Sequence, residues 1–546
     1  MATARLPAPE SLSLAEQVAQ MVVVRASGHL FDHEIRYPMW EADQATLTRY
    51  VAELGVGGVI LLGGSAAEVG LKTQTLQNQA RVPLLIAADV EEGVGQRFSG
   101  ATWFPPPMAL SAVANRDLDT ALAYAEAFGA ATAAEALAIG LNWVLAPTVD
   151  INNNPANPVI NVRAFGDTLE RVCALTQAFL RGVHTQPVLS TAKHFPGHGD
   201  TAVDSHLELP VLPHDRDRLH ALELVPFKRA IATGVDAIMT AHLRIPALDA
   251  QYPATLSAPI LTGLLRQQLG FDGLIVTDAL VMGAITEAYG PYEAAVLAVE
   301  AGADVLLMPG DPEGAIAAVA EAVNRGRLTP ERILASVERL WRAKQKAAPA
   351  LLSDGAGHAW EHLPPPPIQL DGLAQPTTRR LAADILTASM TVQGQVSACT
   401  ATAPGDNLVL VDDVVSCRLD RTAAAIAWPQ SHHYQLKLID TQGCIQWPQG
   451  DRLRPSLVQL FVRGNPFRGT AALMQLATTW LDALREDERL QGVIVYGSPY
   501  ALEQLRPHLG QAAHGFTYGQ MPLAQSLILS ALLPNLATTL SREFTD

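Results

Sequence analysis

Cysteine is scarce in this chain: four residues in 546, Cys173, Cys399, Cys417 and Cys444, with no CxxC pair among them. That scarcity argues against a disulfide framework and against thiolate zinc modules. Aromatic residues make up only 6% of the chain, and charge is thin and lopsided, with 38 Lys and Arg against 54 Asp and Glu. A formal charge of −16 argues against duplex nucleic acid and anionic membrane as broad partners. No uninterrupted apolar stretch is long enough to cross a bilayer. There is no Walker A sequence and no full GxGxxG; Gly93 and Gly95 lack the third glycine and read as a tight turn. The opening MATARLPAPESLSLAEQ shows no basic segment followed by an apolar run, so no leader is expected. The simplest setting is a reduced, cytoplasmic one.

What the sequence does have is rhythm. Its length calls for at least two domains. Over the first 350 residues, eight short apolar runs recur: VAQMVVV, VGGVILL, PLLIAAD, NWVLAPTVD, VLSTAKH, DAIMTAH, GLIVTD and ADVLLMPG. Between most of them lie Ala/Leu-rich stretches of helical period, such as ALAYAEAFGAATAAEALAIG. Strands that are apolar without alternation are buried on both faces, as in a parallel sheet. An open doubly wound sheet could produce the same alternation, but eight units favour a (β/α)8 barrel.

The polar residues fall where such a barrel would use them. Asp89 closes the third run, Asp150 the fourth, Lys193 and His194 the fifth, His242 the sixth and Asp278 the seventh. A lone aspartate there reads as a helix cap. Five strand ends of this kind predict a common polar pocket at the C-terminal mouth. Residues 193–206, KHFPGHGDTAVDSH, hold the densest chemistry. His194 and His198 are four apart with His206 nearby, which raises a metal site. Pro196, Gly197 and Gly199 break the helix that such a pair needs, so no metal is expected. The alternative is a loop that those three residues allow to swing, presenting acid and base groups to a substrate.

After about residue 350 the character changes. Residues 351–375, with the run Pro364–Pro367, read as an extended linker. Residues 376–546 contain NLVLVDD, LVQLFVRG and GVIVYGSPY with helices between, which predicts a smaller α/β sandwich domain. Glu486, Asp487 and Glu488 read as a solvated helix face.

KHFPGHGDTAVDSH and FDGLIVTDALVMGAI, with AADVEEGVGQRF, NPVINVRAFGD and PATLSAPILTGLLRQQLGFDG in the same order, resemble glycoside hydrolase family 3. Within it they resemble the β-N-acetylglucosaminidase branch in its two-domain form. The likeness spans about residues 10–345. It implies a retaining exo-β-N-acetylglucosaminidase, with Asp278 as nucleophile, His206 as general acid/base and Asp204 as its partner. Asp89, Arg97, Arg163, Lys193 and His194 would bind the terminal sugar, and no cofactor is implied. The substrate would be a small glycoside or an oligosaccharide from cell-wall muropeptides or chitin, as in peptidoglycan recycling. One motif departs from the family's Asp-x-Glu-Gly-Gly-Arg: Glu92 replaces a glycine and Val94 an arginine, while the Asp89 to Arg97 interval is kept.

The chemistry is coherent by itself. A retaining glycosidase needs one carboxylate to attack the anomeric carbon and a second group to protonate the leaving oxygen and then activate water. Imidazole titrates near neutrality and can do both, with Asp204 holding its other nitrogen. Arg97 and Arg163 have the alternative reading of surface ion pairs, and Met282 and Met308 that of core filler. Two other functions stay open: a phosphorylase or transglycosylase using the same intermediate, and a sugar-binding protein without catalysis.

Overall fold

A computed structural model describes residues 6–201, 209–347, 368–397, 399–415, 417, 419–442, 454–463 and 470–533. The linker's proline run lies outside these residues, as do Asp204 and His206. The chain divides into two compact units. One comprises Met1–Phe104, Asp117–Asn157 and Arg163–Leu381; the other comprises Pro105–Arg116, Pro158–Val162 and Ala382–Asp546.

The first unit is a TIM-like barrel. Its strands are β1 (Val22–Ser27), β2 (Gly58–Leu62), β3 (Leu85–Ala88), β4 (Trp143–Val144), β5 (Thr191–Phe195), β6 (Ala237–Thr240), β7 (Leu274–Val276) and β8 (Leu306–Leu307). Two parallel sheets, β4-β3-β2-β1-β8 and β5-β6-β7, make up the wall. Parallel bridges Trp143 to Leu189 and Val276 to Val305 join their edges, so the eight strands form a closed ring in chain order. Strands β3, β5, β6 and β7 are buried at every position, which explains why their sequences do not alternate.

The run VAQMVVV is shared between two elements. Its first three residues end the helix Leu14–Gln20, and the strand begins only at Val22. Ser13 and Glu16 start that helix with a capping box, and local capping fixes its frame before the apolar run begins. The polar strand ends are also spread more widely than the pattern suggested. Asp89 follows β3 directly, Asp278 stands two residues past β7, and Asp150 stands six residues past β4. The bridge from Thr148 to Lys193 keeps the segment before Asp150 alongside β5.

The second unit is an α/β domain built on β9 (Thr391–Gln393), β10 (Gly405–Leu410), β11 (Tyr434–Ile439), β12 (Ser456–Val462), β13 (Leu490–Gly497) and β14 (Ala513–Thr517). The order is β11-β10-β12-β13-β14-β9, parallel except for β9. Its five parallel strands thus follow the 2-1-3-4-5 order of a doubly wound sheet. Across its middle, Tyr496 donates to Gln459 (2.8 Å) and Gln459 to Asn407 (2.8 Å), a polar ladder buried among apolar side chains. Glu486, Asp487 and Glu488 are exposed at the end of the helix Ala471–Glu486, in line with a solvated face.

Candidate active site

At the C-terminal mouth of the barrel, carboxylates and cations alternate. Lys193, on β5 and 1% exposed, sends its ammonium to Asp89 Oδ1 (2.7 Å) and Glu91 Oε1 (2.6 Å). Glu91 in turn grips Arg163 through two parallel bonds, Nε to Oε2 and Nη2 to Oε1, both 2.8 Å. The planar guanidinium offers a carboxylate this two-pronged geometry, which a lysine ammonium does not. Arg163 Nη2 reaches His194 Nε2 at 3.4 Å, and His194 Nδ1 lies 2.8 Å from Asp150 Oδ2. Because a carboxylate can only accept, Nδ1 is the donor and Nε2 turns its lone pair toward the guanidinium. Asp150 also accepts from the backbone N–H groups of His194 (3.1 Å) and His198 (2.7 Å). Arg97 donates through Nε to the carbonyl of Asp89 (2.9 Å).

The network keeps its members charged in spite of burial. Burial pushes the Asp89 carboxyl up, but Lys193 and then Arg97 outweigh it, and its pKa is lowered. The same contest, won by Arg163 and Lys193, holds Glu91 well below the usual range. For Asp150 the bond to His194 overrides burial and lowers the pKa. Lys193, opposed by burial, is raised by Asp89 and Glu91. Asp89 and Glu91 thus face Lys193 and Arg163, and the charges of these four offset one another.

Asp278 sits on the turn after β7. Its Oδ1 accepts from the N–H of Ala279 (2.8 Å), and its own N–H points to Thr240 Oγ1 (3.4 Å). His242, fully buried, donates through Nε2 to the carbonyl of Ala279 (3.1 Å) and contacts Thr255 through Nδ1 (2.8 Å). The turn that carries Asp278 is therefore held from both sides. Met282 and Met308 are both buried.

His194 and His198 commit their Nδ1 atoms to different protein partners, Asp150 and Thr201 (2.8 Å). Burial pushes His198 down to about 4, against the opposing pull of Asp150 and a smaller one from Asp278. The stretch Thr191–Gly199 is buried throughout. A Cβ on Gly199 would lie 1.7 Å from the carbonyl oxygen of Ile151, and one on Gly197 would meet Glu223 at 2.9 Å. These glycines serve close packing where they stand. Residues 202–208, which include Asp204 and His206, are outside the described part.

The departure from the motif has a local explanation. Glu92 accepts from Trp103 Nε1 (2.9 Å) and is buried, and Val94 is fully buried. Gly93 adopts φ +79°, and Gly95 packs against the Ala101–Trp103 backbone, as a tight turn demands. Asp89, Arg97, Arg163, Lys193 and His194 are thus brought together. Glu91, Asp150, His198 and His242 complete the cluster without having been assigned a part in it. Glu91 was open to detection, because a residue two positions after Asp89 on extended chain points to the same side. Asp150 and His242 read in the sequence only as strand ends, because several of their partners are distant along the chain.

Residues 13–343 match the family described as Glycosyl hydrolase family 3 N terminal domain, and residues 399–534 match Bacterial Glycosyl hydrolase family 3 C-terminal domain. A solved glycoside hydrolase family 3 β-N-acetylglucosaminidase from Paenibacillus sp. str. FPU-7 is 32% identical, with a TM-score of 0.75 over 96% of this chain and 97% of that one. The beta-hexosaminidase A of Pseudoalteromonas piscicida is 34% identical over 376 residues, which is 63% of this chain and 60% of that protein. A beta-hexosaminidase of Alkalilimnicola ehrlichii is 39% identical over 262 residues, 47% of this chain and 75% of that protein.

Proposed function

Since the chain belongs to glycosyl hydrolase family 3, we propose that it is a retaining exo-β-N-acetylglucosaminidase. The observation that carries this reading is the buried Asp89–Lys193–Glu91–Arg163 network at the C-terminal strand ends. It fixes donors and acceptors for sugar hydroxyls before substrate arrives, so little is lost in ordering them. Asp89, one third exposed at its side chain, is the member open to a ligand, while Glu91 at 4% holds the cations in place. Arg97, Arg163, Lys193 and His194 complete the binding set for the terminal sugar and its acetamido group.

Asp278 attacks the anomeric carbon as His206, oriented by Asp204, protonates the departing oxygen. The histidine then removes a proton from water, which attacks the glycosyl-aspartate and frees the carboxylate. The bonds that Ala279 and His242 make around Asp278 support a nucleophile held rigidly in place. Both beta-hexosaminidases named above and the Paenibacillus enzyme support N-acetylglucosamine as the sugar removed. We place the natural substrates among cell-wall fragments and chitin-derived saccharides. We place the protein in the cytoplasm: Cys173, Cys399 and Cys417 are all unpaired, and no helix among the described residues is long and apolar enough to cross a membrane.

The test is turnover of aryl β-N-acetylglucosaminide against aryl β-glucoside, with and without phosphate. The N-acetyl substrate should be strongly preferred, because a pocket built for the acetamido group leaves polar atoms unpaired when that group is missing. Equal activity on the plain glucoside would overturn the sugar assignment. Formation of a sugar phosphate at the expense of free sugar would make the protein a phosphorylase.

A further inference from the structure

Twelve large apolar side chains are exposed among the described residues, and four of them stand within ten positions: Phe31 (62%), Tyr37 (46%), Met39 (85%) and Trp40 (38%). All four belong to the segment that leaves the barrel after β1, at the same end as Asp89 and Asp278. In the closed ring, β1 is two strands from β3 and two from β7. Its loop therefore rises from the rim between the strand that leads to Asp89 and the strand that leads to Asp278.

The rings are arranged and anchored. Tyr37 and Trp40 lie within 18° of parallel, with centroids 5.9 Å apart. Arg25, on β1, places its guanidinium 5.0 Å and 5.7 Å from the two centroids, and Glu41 holds that guanidinium at 3.0 Å. Arg25 and Glu41 are buried to 14% and 2% side-chain exposure, so the support is internal while the rings remain half open to water. Lys72 ties the start of the loop by donating to the carbonyls of Ser27 (2.8 Å) and His29 (2.6 Å). Half-exposed aromatic rings held this way lose little freedom on binding.

We propose that Tyr37 and Trp40, flanked by Phe31 and Met39, form a leaving-group subsite for the third and later rings of a β-linked N-acetylglucosamine oligomer, beyond the position that an aryl leaving group fills. The inference rests on the activity proposed above and names the substrate class that the site is built for. A pyranose presents C–H bonds on its faces, and these complement the negative face of an aromatic ring. An exo-acting enzyme draws the terminal sugar into the barrel mouth, and the rest of the chain must leave across the rim. A single sugar with a small leaving group would not reach such a platform.

The experiment compares kcat/KM on aryl β-N-acetylglucosaminide with that on the N-acetylglucosamine tetramer, for the full chain and its Tyr37→Ala and Trp40→Ala variants. Each variant should keep its aryl activity and lose about tenfold on the tetramer, the worth of one good aromatic contact. Unchanged tetramer activity, or an equal loss on both substrates, overturns the subsite. A second measurement separates this from the activity itself: tetramer binding to Asp278→Asn, with and without Tyr37→Ala, followed by tryptophan fluorescence. If wild type cleaves no aryl N-acetylglucosaminide, the proposed activity fails. A tenfold weaker tetramer affinity caused by Tyr37→Ala would still establish the subsite. Light scattering that reveals a dimer dissolved by Trp40→Ala would assign the rings to a second copy and refute the proposal.

Discussion

Lys344 offers the sharpest numerical test of the structure. It lies on the helix Pro330–Lys346, 1% exposed, and among the described residues its hydrogen-bond acceptor is Gln20 Oε1 at 2.7 Å. Burial alone lowers its pKa from 10.5 to about 7. Between these values the unfolded chain keeps the proton that the native state releases, so stability rises with pH across that window. Below pH 7 both states are protonated, and the whole penalty, about 5 kcal/mol, weighs on the fold. Above pH 10.5 it is gone. Lys344→Met removes the penalty but strands the Gln20 amide, at a cost of about 1–3 kcal/mol. The variant should therefore be more stable than wild type by about 2–4 kcal/mol at pH 6. The two stability curves should cross near pH 9, and wild type should lead slightly above it. Denaturant titration or thermal scanning of both proteins from pH 6 to 10 measures this difference, and other titrating groups cancel in it. A difference that stays flat across the range would refute the argument, since it would mean that the ammonium is solvated in the folded protein.

Three further outcomes concern the active site. Glu91→Gln leaves Lys193 and Arg163 buried without their shared carboxylate, and should cost about 3–5 kcal/mol of stability. Thermal unfolding would show that loss alongside a raised KM for the sugar, and a variant as stable as wild type would deny Glu91 its organising part. Asp278→Ala should abolish turnover while the fold persists, and a 2-fluoro glycoside should label Asp278 in the native enzyme, as located by mass spectrometry. A label elsewhere would move the nucleophile. His206→Gly should lose about 10²–10⁴-fold on substrates with poor leaving groups. It should lose much less on dinitrophenyl glycosides, with a burst of released phenol and rescue by azide; a deficit indifferent to the leaving group would show that this histidine is not the proton donor.

The barrel was legible because its signal is local and repeated. Each strand of a parallel sheet is buried on both faces, so eight short apolar runs separated by helical stretches announce it directly. The order of strands in the second unit was not legible. Strands β9, β11 and β14 are short or half-exposed and lack an apolar signature, and only pairing with neighbours makes them strands. Within the site, the types of the chemical residues could be read from the motif around Asp89, Lys193 and Asp278, and the family likeness added their roles.

By itself, then, the sequence determined the fold class and which residues carry charge at the strand ends. Composition and hydrophobic period are properties of the chain alone. Only the tertiary structure decided which charges meet. Lys193 and Asp89 are 104 positions apart, and Arg163 and Glu91 are 72 apart, yet each pair lies within hydrogen-bonding distance. It also decided that Gly197 and Gly199 stand where a side chain would meet Glu223 and the Ile151 backbone, because the need for close approach at a glycine cannot be read until the neighbouring backbone is in place.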